Sequence, residues 1–394
     1  MPSLIHRKVK GKIYRYLVES YRDNGKVRQR VLKYLGAAPT LPEDAPIGVV
    51  LFAGGGGVEC GMIAAGIRPV ECVECDPKKP TLSKALAQNN HLNFKPYGGR
   101  VINQTVEQVA LAGFSDFPYA PDYLHASPVC SNFSLANKGK ESLEDIEAAI
   151  ATAQAIRHLQ PKYFTLENVP AYQNSDSWYL INQTLKEEGY LVKQEILDAA
   201  DYGVPQSRRR FIVVASRFTQ PKLPAKLQRV GWYEAIEDLI DELPASELLP
   251  SQQKALKLKR SLQPSIKALL IERTGFREGT PKVREPFETC WTIKRSIFTD
   301  QNGNNRSRFI DVWLADGADG VVKGITIEAI TRLQSFPSWY YLPNEVSLAG
   351  SILGYSVPPL FMKALLTSDY SVSLTDWEGV STPDEQAEPV EMAS

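Results

Sequence analysis

A cysteine and a glutamate follow two apolar runs of the sequence, and together they indicate covalent chemistry. Cys130 lies four residues after the run from Tyr123 to Ala126, and Glu167 ends the run that begins at Tyr163. If both runs are parallel strands of one sheet, both side chains lie at its carboxyl edge, where open α/β sheets bind ligands. A thiolate beside a carboxylate suits attack on an electron-poor ring. Alone, Cys130 could equally be a small buried apolar residue.

A glycine loop forms a second candidate site. The apolar run from Val49 to Phe52 leads into four consecutive glycines, 54–57, and a predicted helix from Glu59 to Ala65 follows. Glycines let a backbone approach a ligand closely, and a helix N-terminus offers free N–H groups. Glu74 ends the next predicted strand, 20 residues after Gly54. An acid at that place can bind ribose hydroxyls.

The loop favours a cationic nucleoside cofactor over a dinucleotide. Glu59 replaces the third glycine of the dinucleotide-binding spacing. A carboxylate is unfavourable beside a pyrophosphate and favourable near a sulfonium. The alternative is a glycine-rich turn that serves only packing.

A run of arginines precedes the last apolar run of this region. Gln206-Ser207-Arg208-Arg209-Arg210 leads into a predicted strand over Phe211 to Ala215. In an extended chain Arg208 and Arg210 point to one face. Such a pair can stabilise a thiolate, hold a base carbonyl or clamp a phosphate. The alternative is an ordinary solvated charge run.

The elements that would position these residues predict an α/β, doubly wound, Rossmann-like fold. From Ile47 to about Arg217, apolar runs alternate with helical segments, which is typical of parallel strands joined by helices. The predicted strands are Ile47 to Phe52, Pro69 to Glu74, Asp122 to Ala126, Tyr163 to Glu167 and Arg210 to Ala215. Ser142 is the predicted N-cap of a helix from Leu143 to Leu159.

These motifs resemble those of the DNA cytosine-5 methyltransferase family, in the same order over roughly residues 47 to 366. Cys130 is similar to the family's nucleophile, and Glu167, Asn168 and Val169 resemble its Glu-Asn-Val motif. The family's Gln-x-Arg-x-Arg motif is matched by Gln206, Arg208 and Arg210. Its last two motifs are matched by the segments Arg332–Pro337 and Gly354–Pro358.

The resemblance implies an S-adenosylmethionine-dependent methyltransferase that flips a cytosine out of double-stranded DNA. Addition of the Cys130 thiolate to C6, while Glu167 hydrogen-bonds or protonates N3, turns the ring into an enamine whose C5 attacks the sulfonium methyl group. The C5 proton then leaves and the thiolate is expelled. The implied catalytic residues are Cys130, Glu167, Asn168, Arg208 and Arg210, and the implied cofactor-binding residues are Phe52, Gly54, Gly56, Glu74, Asn103, Tyr355 and Ser356.

The sequence departs from the family pattern in three respects. Cys130 is flanked by Val129 and Ser131, where the family has Pro and Gln. Asn103 stands where an Asp usually meets the adenine amino group, and Tyr355 replaces the Asn of the last motif. These changes predict a differently shaped nucleophile loop and cofactor pocket.

The predicted domain order places a recognition domain within the catalytic one. Residues 217–322 contain Pro, Lys/Arg and Trp but lose the strand–helix alternation, and the resemblance makes them the target-recognition domain. The other parts are a basic β-hairpin module (1–37), a linker (38–46), the catalytic domain in two parts (47–216 and 323–367) and an acidic mobile tail (368–394). Candidate DNA contacts, each of which could equally be a packing or surface residue, are Trp291, Lys294, Arg295, Arg306 and Arg308.

The basic module has a resemblance of its own. Residues from Lys12 to Gly36 alternate in polarity around Asn24-Gly25, which supplies the positive φ values of a tight hairpin turn. The segment from Tyr16 to Lys26 resembles the N-terminal segment of some transposases. Residues 1–36 carry ten Lys/Arg and two acids, a net charge of +8. A basic accessory surface on DNA and a structural or dimer contact are both open.

The composition limits the remaining possibilities. Because Lys+Arg and Asp+Glu are 45 each, the net charge of 0 is uninformative about a polyanionic partner. Five cysteines argue against a disulfide framework, and Cys72-Val73-Glu74-Cys75 has no second Cys or His pair, so no metal is predicted. No long apolar run or signal-peptide core occurs, so we expect a cytoplasmic protein, nucleoid-associated if prokaryotic, without membrane contact.

The expected partner is double-stranded DNA, and the expected oligomeric state is a monomer. Restriction-modification with a cognate endonuclease that shares the site and orphan methylation are both open. Two competing functions stay open at this point. One is an RNA or tRNA methyltransferase with the same chemistry, and the other is a cofactor-binding regulator that binds DNA without turnover.

Overall fold

Three β-sheets and their helices account for the regular structure of the residues that the structure describes. The structure is a computed structural model and describes residues 2–10, 12–129, 141–272, 282–294, 310–316 and 320–368. Cys130, Arg295, Arg306, Arg308 and the predicted tail from residue 369 onward lie outside these ranges.

The N-terminal sheet is antiparallel and consists of β1 (Pro2–Val9), β2 (Lys12–Asp23) and β3 (Lys26–Ala38), in that order. Asn24 and Gly25, between β2 and β3, have φ values of 45° and 78°, which confirms the predicted hairpin turn. The prediction of only two strands is wrong, because β1 pairs with β2 from Pro2 opposite Glu19 to Val9 opposite Lys12. Its basic residues obscured the strand pattern.

The central sheet has seven strands, β4 (Ile47–Leu51), β5 (Arg68–Val73), β6 (Arg100–Ile102), β7 (Tyr123–Ala126), β8 (Tyr163–Asn168), β9 (Leu191–Asp198) and β10 (Arg209–Ser216). Their order is β6-β5-β4-β7-β8-β10-β9, and β4 to β8 are parallel. All five predicted strands are present, with each end within one residue of its predicted position. Two strands of this sheet, β6 and β9, were not predicted from the sequence.

The sequence predicted that β10 runs parallel to its neighbours. This prediction is wrong, because β10 is antiparallel to both β8 and β9. β9 was missed because the exposed residues Lys193, Gln194 and Glu195 interrupt its apolar pattern. Since β10 returns from β9, it starts at the carboxyl edge of the parallel strands, with Phe211 opposite Asn168. Residues 206–210 therefore reach the same edge of the sheet as Glu167.

The helices are α1 (Gly57–Ala64), α2 (Pro80–Phe94), α3 (Val106–Leu111), α4 (Leu143–Leu159), α5 (Asp176–Glu187), α6 (Trp232–Ile236), α7 (Pro250–Leu262), α8 (Ile327–Leu333), α9 (Val346–Tyr355) and α10 (Pro359–Thr367). Val49 and Leu51 of β4 pack with α3, α4 and α5, whereas Val50 packs with α1 and α10. The sheet is thus buried on both faces, as a doubly wound fold requires. Ser142 caps α4 as predicted, since its hydroxyl accepts the Asp145 N–H at 3.4 Å.

The third sheet lies in the predicted recognition region. It consists of β11 (Ala268–Glu272), β12 (Val283–Arg284), β13 (Ile310–Leu314) and β14 (Val321–Gly324), in the antiparallel order β12-β11-β13-β14. Leu269, Ile271 and Trp313 pack with Leu248 and with Leu256 of α7 to form its small core. The chain then returns to the central sheet, where α10 packs against α1.

Candidate active site

The strand order reverses between β4 and β7, so the carboxyl edge of the central sheet is expected to hold a ligand crevice there. The chain builds β5 and β6 on one side of β4 and then places β7 on the other. Loops that leave neighbouring strands in opposite directions open a crevice where α/β sheets bind ligands. The glycine loop follows β4, and the segment that leads to Cys130 follows β7.

Glu167 lies at this edge and is paired with Arg210. The Arg210 Nε lies 2.7 Å from Oε1 of Glu167, and the two side chains are 14% and 9% exposed. Ile212 is the residue opposite Glu167, so Arg210 approaches it as a diagonal neighbour on the adjacent strand. The contact is a shielded ion pair, in which the guanidinium charge holds the carboxylate in place.

Asn168 fixes the loop after β7. Its Nδ2 donates to the Pro128 carbonyl at 3.0 Å, and its Oδ1 accepts the Val169 N–H at 2.8 Å. Asn168 is 2% exposed. It therefore joins the end of β8 to the backbone two positions before Cys130.

His125, to which the sequence analysis assigned no role, holds the start of the same loop. Its ring nitrogens lie 2.8 Å from Thr165 Oγ1 and 2.7 Å from Ser127 Oγ. Burial lowers the pKa of His125 to about 3, so the ring is neutral at physiological pH and one nitrogen accepts while the other donates. The contact between His125 and Thr165 could not be predicted from the sequence, because Thr165 lies on the neighbouring strand, directly opposite His125.

Gln206 and Arg208 connect this edge to residues 290–293. The Gln206 Oε1 accepts the Ile293 N–H at 2.9 Å, and its amide also donates to the Gln334 side chain. Arg208 Nη1 donates to the Ile293 carbonyl at 3.3 Å. The two motif arginines thus have different partners, since Arg210 contacts Glu167 and Arg208 contacts Ile293. Gln206 is fully buried and acts as a structural bridge.

Two of the candidate DNA contacts are described. The Arg284 guanidinium lies 5.5 Å from the centroid of the half-buried Trp291 ring. Lys294 is exposed. Lys294 therefore lies at the surface, whereas the Trp291 ring is partly covered.

The glycine loop needs glycine at positions where the backbone approaches its neighbours closely. A Cβ on Gly55 would lie 2.1 Å from the Ile352 carbonyl oxygen, and one on Gly57 would lie 2.0 Å from that of Val357. Gly54 and Gly56 have φ values of 57° and 80°, which favour glycine. The segment after α9 therefore closes directly onto the loop.

Side chains from distant parts of the chain hold the loop in this conformation. The Gly54 N–H donates to Glu74 Oε2 at 2.7 Å, and Asn90 Nδ2 donates to the Gly54 carbonyl at 3.0 Å. The Tyr340 hydroxyl donates to the Gly55 carbonyl at 2.8 Å. Asn90 and Tyr340 escaped the sequence analysis, because an Asn or Tyr far along the chain carries no sign of its contact with a loop.

Glu74 is 8% exposed at the end of β5. Burial raises its pKa to about 7, although the hydrogen bond from the Gly54 N–H acts in the opposite direction. Asn103 Nδ2 donates to the Glu74 carbonyl at 2.8 Å. The structure thus places Asn103 beside Glu74, at the ends of adjacent strands.

Tyr355 closes one side of the crevice above Gly54. Its backbone oxygen would lie 3.3 Å from a Cβ on Gly54, and Lys79 Nζ donates to the Tyr355 hydroxyl at 3.1 Å. The Lys79 ammonium also lies 5.8 Å from the Tyr355 ring centroid. Ser356 is 1% exposed, and its hydroxyl donates to the Ile352 carbonyl at 2.7 Å, so its side chain packs within the protein.

Comparison with known families decides the chemistry of this crevice. Residues 48–369 match the family described as C-5 cytosine-specific DNA methylase. The chain belongs to this family. This DNA cytosine-5 methyltransferase therefore uses DNA as its substrate and requires a methyl donor. Residues 4–48 match a second family, the N-terminal domain of IS1634 family transposases, in agreement with the resemblance of the N-terminal segment.

Curated relatives of this methyltransferase are type II methyltransferases. Type II methyltransferase M.XorII of Xanthomonas oryzae is 27% identical over 367 residues, covering 81% of this chain and 83% of the relative. Type II methyltransferase M.AplI of Arthrospira platensis is 26% identical over 322 residues, covering 81% and 84%.

Solved structures share the fold of this methyltransferase. The Entamoeba histolytica methyltransferase EhMeth has a TM-score of 0.54 at 16% identity, covering 83% of this chain and 98% of that one. The S. pombe Dnmt2 methyltransferase has a TM-score of 0.51 at 15% identity, covering 82% and 97%.

Two general features complete the description of this methyltransferase. No helix within the described ranges is long and apolar enough to cross a membrane. The same residues contain no group of three or more His, Cys, Asp and Glu side chains arranged to hold a metal ion.

Proposed function

We propose that this enzyme methylates C5 of a flipped-out cytosine in a short, specific duplex sequence through a covalent bond between Cys130 and C6. The observation that carries the proposal is the convergence of Glu167, Arg210 and the loop before Cys130 on the crevice beside the glycine loop. The proposed setting is DNA modification by a cytoplasmic monomer, with a cognate restriction endonuclease or as an orphan enzyme.

The protein residues divide the chemistry among them. Cys130 adds as a thiolate to C6, and Glu167 hydrogen-bonds or protonates N3, so that C5 becomes the nucleophilic carbon of an enamine. After methylation, loss of the C5 proton and expulsion of the thiolate restore the aromatic ring and free Cys130. Arg210 orients Glu167 throughout, and Asn168 positions the loop that carries the nucleophile.

S-adenosylmethionine fits the glycine-loop side of the crevice and supplies, when bound, an electrophilic methyl group on a sulfonium. Phe52, a non-glycine residue, has a φ of 59°, and such conformations concentrate at functional sites. Glu74 offers a carboxylate for the ribose hydroxyls at the end of β5. The remaining proposed contacts are Gly54, Gly56, Asn103 and Tyr355, and the backbone of Ser356.

Affinity for S-adenosylhomocysteine is expected to fall as the pH decreases through 7. The pKa of Glu74 is about 7, and only its ionised form accepts hydrogen bonds from both ribose hydroxyls. Protons therefore compete with the ligand, and the dissociation constant should rise by about tenfold from pH 8 to pH 6 in isothermal titration calorimetry. Glu74→Gln should bind weakly at both pH values. A wild-type constant that is the same at both would refute this role.

The cytosine must leave the base stack before Cys130 can reach C6. Flipping costs about a few kcal/mol, which contacts between DNA and residues 217–322 must offset. The links from Gln206 and Arg208 to Ile293 support this assignment, because they connect the proposed recognition domain directly to the catalytic edge. We propose 47–216 and 323–367 as the two parts of the catalytic domain, joined to the sheet of residues 1–37 by the linker 38–46.

Bisulfite sequencing at base resolution tests the proposed reaction. Host DNA from cells that express the wild type should carry 5-methylcytosine at one short motif, and DNA from cells that express Cys130→Ser should not. Absence of methylation in both, with folded protein that binds S-adenosylmethionine, would exclude host DNA as substrate and direct the search to RNA or to a binder without turnover. Equal methylation in both would exclude Cys130 as the nucleophile.

A further inference from the structure

The N-terminal sheet (β1 to β3) carries a concentrated positive charge, although the net charge of the whole chain is 0. Residues 1–36 contain ten Lys/Arg and only Glu19 and Asp23 as acids. Nine of the ten basic side chains are exposed. Glu19 pairs with Arg30, and Asp23 pairs with Arg28. Most of the positive charge of residues 1–36 is therefore not balanced by these two acids. A surface of this charge attracts polyanions.

Part of the sheet projects as a two-stranded ribbon. β1 pairs with β2 only as far as Glu19, whereas the pairing of β2 with β3 continues to Asp23 opposite Lys26. Along this ribbon, residues 20–30, Tyr21 is 44% and Val27 is 68% exposed. A two-stranded β-ribbon is narrow enough to enter the major groove of B-DNA.

Arg15 fixes the N-terminal sheet to the catalytic lobe. It is fully buried, and its guanidinium donates to the carbonyls of Trp339 at 2.9 Å and Leu92 at 3.3 Å. The Tyr97 hydroxyl donates to the Pro39 carbonyl at 3.0 Å and anchors the end of β3. A duplex held by the sheet would therefore have a fixed position relative to the active site.

We propose that the N-terminal sheet is a second docking surface for duplex DNA, which binds the phosphate backbone independently of sequence. A second copy of the chain fits this surface poorly, because two such cationic sheets repel each other. The exposed Lys and Arg side chains also discourage edge-to-edge strand pairing. DNA, the substrate of this family, has the complementary charge, so the surface would lengthen the contact beyond the target cytosine.

The ribbon residues Arg22 and Lys26 offer the direct test. Both are exposed and make no ion pair among the described residues. The matched control is Lys186 of α5 and Lys193 of β9, which are also exposed. β9 is one edge strand of the central sheet. The other edge, at β6, is covered by α2, to which Arg15 attaches the N-terminal sheet. Each double substitution to Gln removes the same charge.

Binding to an A·T duplex of about 30 base pairs, which contains no cytosine, is measured by fluorescence anisotropy at several salt concentrations. Because this duplex has no target base, differences in affinity between the proteins reflect contacts outside the target pocket. Arg22→Gln/Lys26→Gln should bind more weakly than the wild type, and the slope of log K against log salt should be shallower by about 1.8, because each lost phosphate contact removes about 0.9. Lys186→Gln/Lys193→Gln should retain the wild-type slope.

A second double variant, Lys12→Gln/Lys33→Gln, removes two charges from the same sheet outside the ribbon. It should also make the slope of log K against log salt shallower. If both N-terminal variants keep the slope and affinity of the control, the proposal is wrong. A dimer in analytical ultracentrifugation that only the N-terminal variants lose, with an unchanged salt slope, would overturn it in favour of a second copy.

Discussion

Glu167→Gln is expected to slow methyl transfer by about 10²- to 10⁴-fold, the usual contribution of a general acid or base. A Gln amide can still donate a hydrogen bond to N3 but cannot transfer a proton. It also leaves the Arg210 guanidinium without the carboxylate that lies 2.7 Å from it. The affinities for DNA and S-adenosylhomocysteine should change by less than about threefold, because the substitution keeps the shape of the side chain.

Glu195→Gln is the matched control for this prediction. Glu195 and Glu167 both lie opposite Ile212, on either side of β10, so the two substitutions affect the same row of the sheet. Glu195 is exposed and should tolerate the change with full activity. Single-turnover transfer of a tritiated methyl group gives the rates. A Glu167→Gln rate within about threefold of that of Glu195→Gln would remove Glu167 from the chemistry.

A duplex with 5-fluorocytosine at the target separates the roles of Glu167 and Cys130. Fluorine replaces the proton that must leave C5, so the covalent adduct cannot resolve and remains visible on a denaturing gel. Wild-type enzyme should be trapped, Cys130→Ser should not, and Glu167→Gln should be trapped slowly. Trapping of Glu167→Gln at the wild-type rate would mean that Glu167 acts only after the methyl group has been transferred.

The residues that could be located from sequence are those with a strong local signal. Apolar runs located five of the seven strands of the central sheet to within one residue, and Asn24-Gly25 specified its turn, because local sterics determine both. Glu167 and Asn168 were placed at the carboxyl edge because they lie at the end of one buried strand, β8. The direction of β10 had no such signal, since it depends on β9, whose outward polar residues mask its periodicity.

The contacts that shape the candidate site are mostly long-range and therefore could not be predicted. Gln206 belongs to a recognised motif, yet its partners Ile293 and Gln334 follow it by about a hundred residues or more. Asn90 and Tyr340 hold the glycine loop from different segments of the chain. Reactive groups are therefore easier to predict from the sequence than the groups that hold them in place.

The close approach of Gly57 to the segment after α9 predicts the largest loss of stability. A Cβ on Gly57 would lie 2.0 Å from the Val357 carbonyl oxygen and 2.9 Å from the Ser356 Cβ. Because the first of these is backbone, the connection between α9 and α10 must move, and the returning helices can no longer pack closely against the loop. Gly57→Ala should therefore lower the free energy of unfolding by about 3 kcal/mol or more and abolish cofactor binding.

Gly324→Ala is the control for this effect, because a Cβ there would meet nothing closer than the Ser246 Cβ at 3.5 Å, an ordinary contact. Its free energy of unfolding, measured by urea denaturation, should stay within about 1 kcal/mol of the wild-type value. If the two alanine variants unfold at the same urea concentration, the glycine loop is looser than its contacts indicate. Since Tyr355 and Glu74 approach the same loop, the cofactor site could then not be preformed, and its geometry would have to arise on binding.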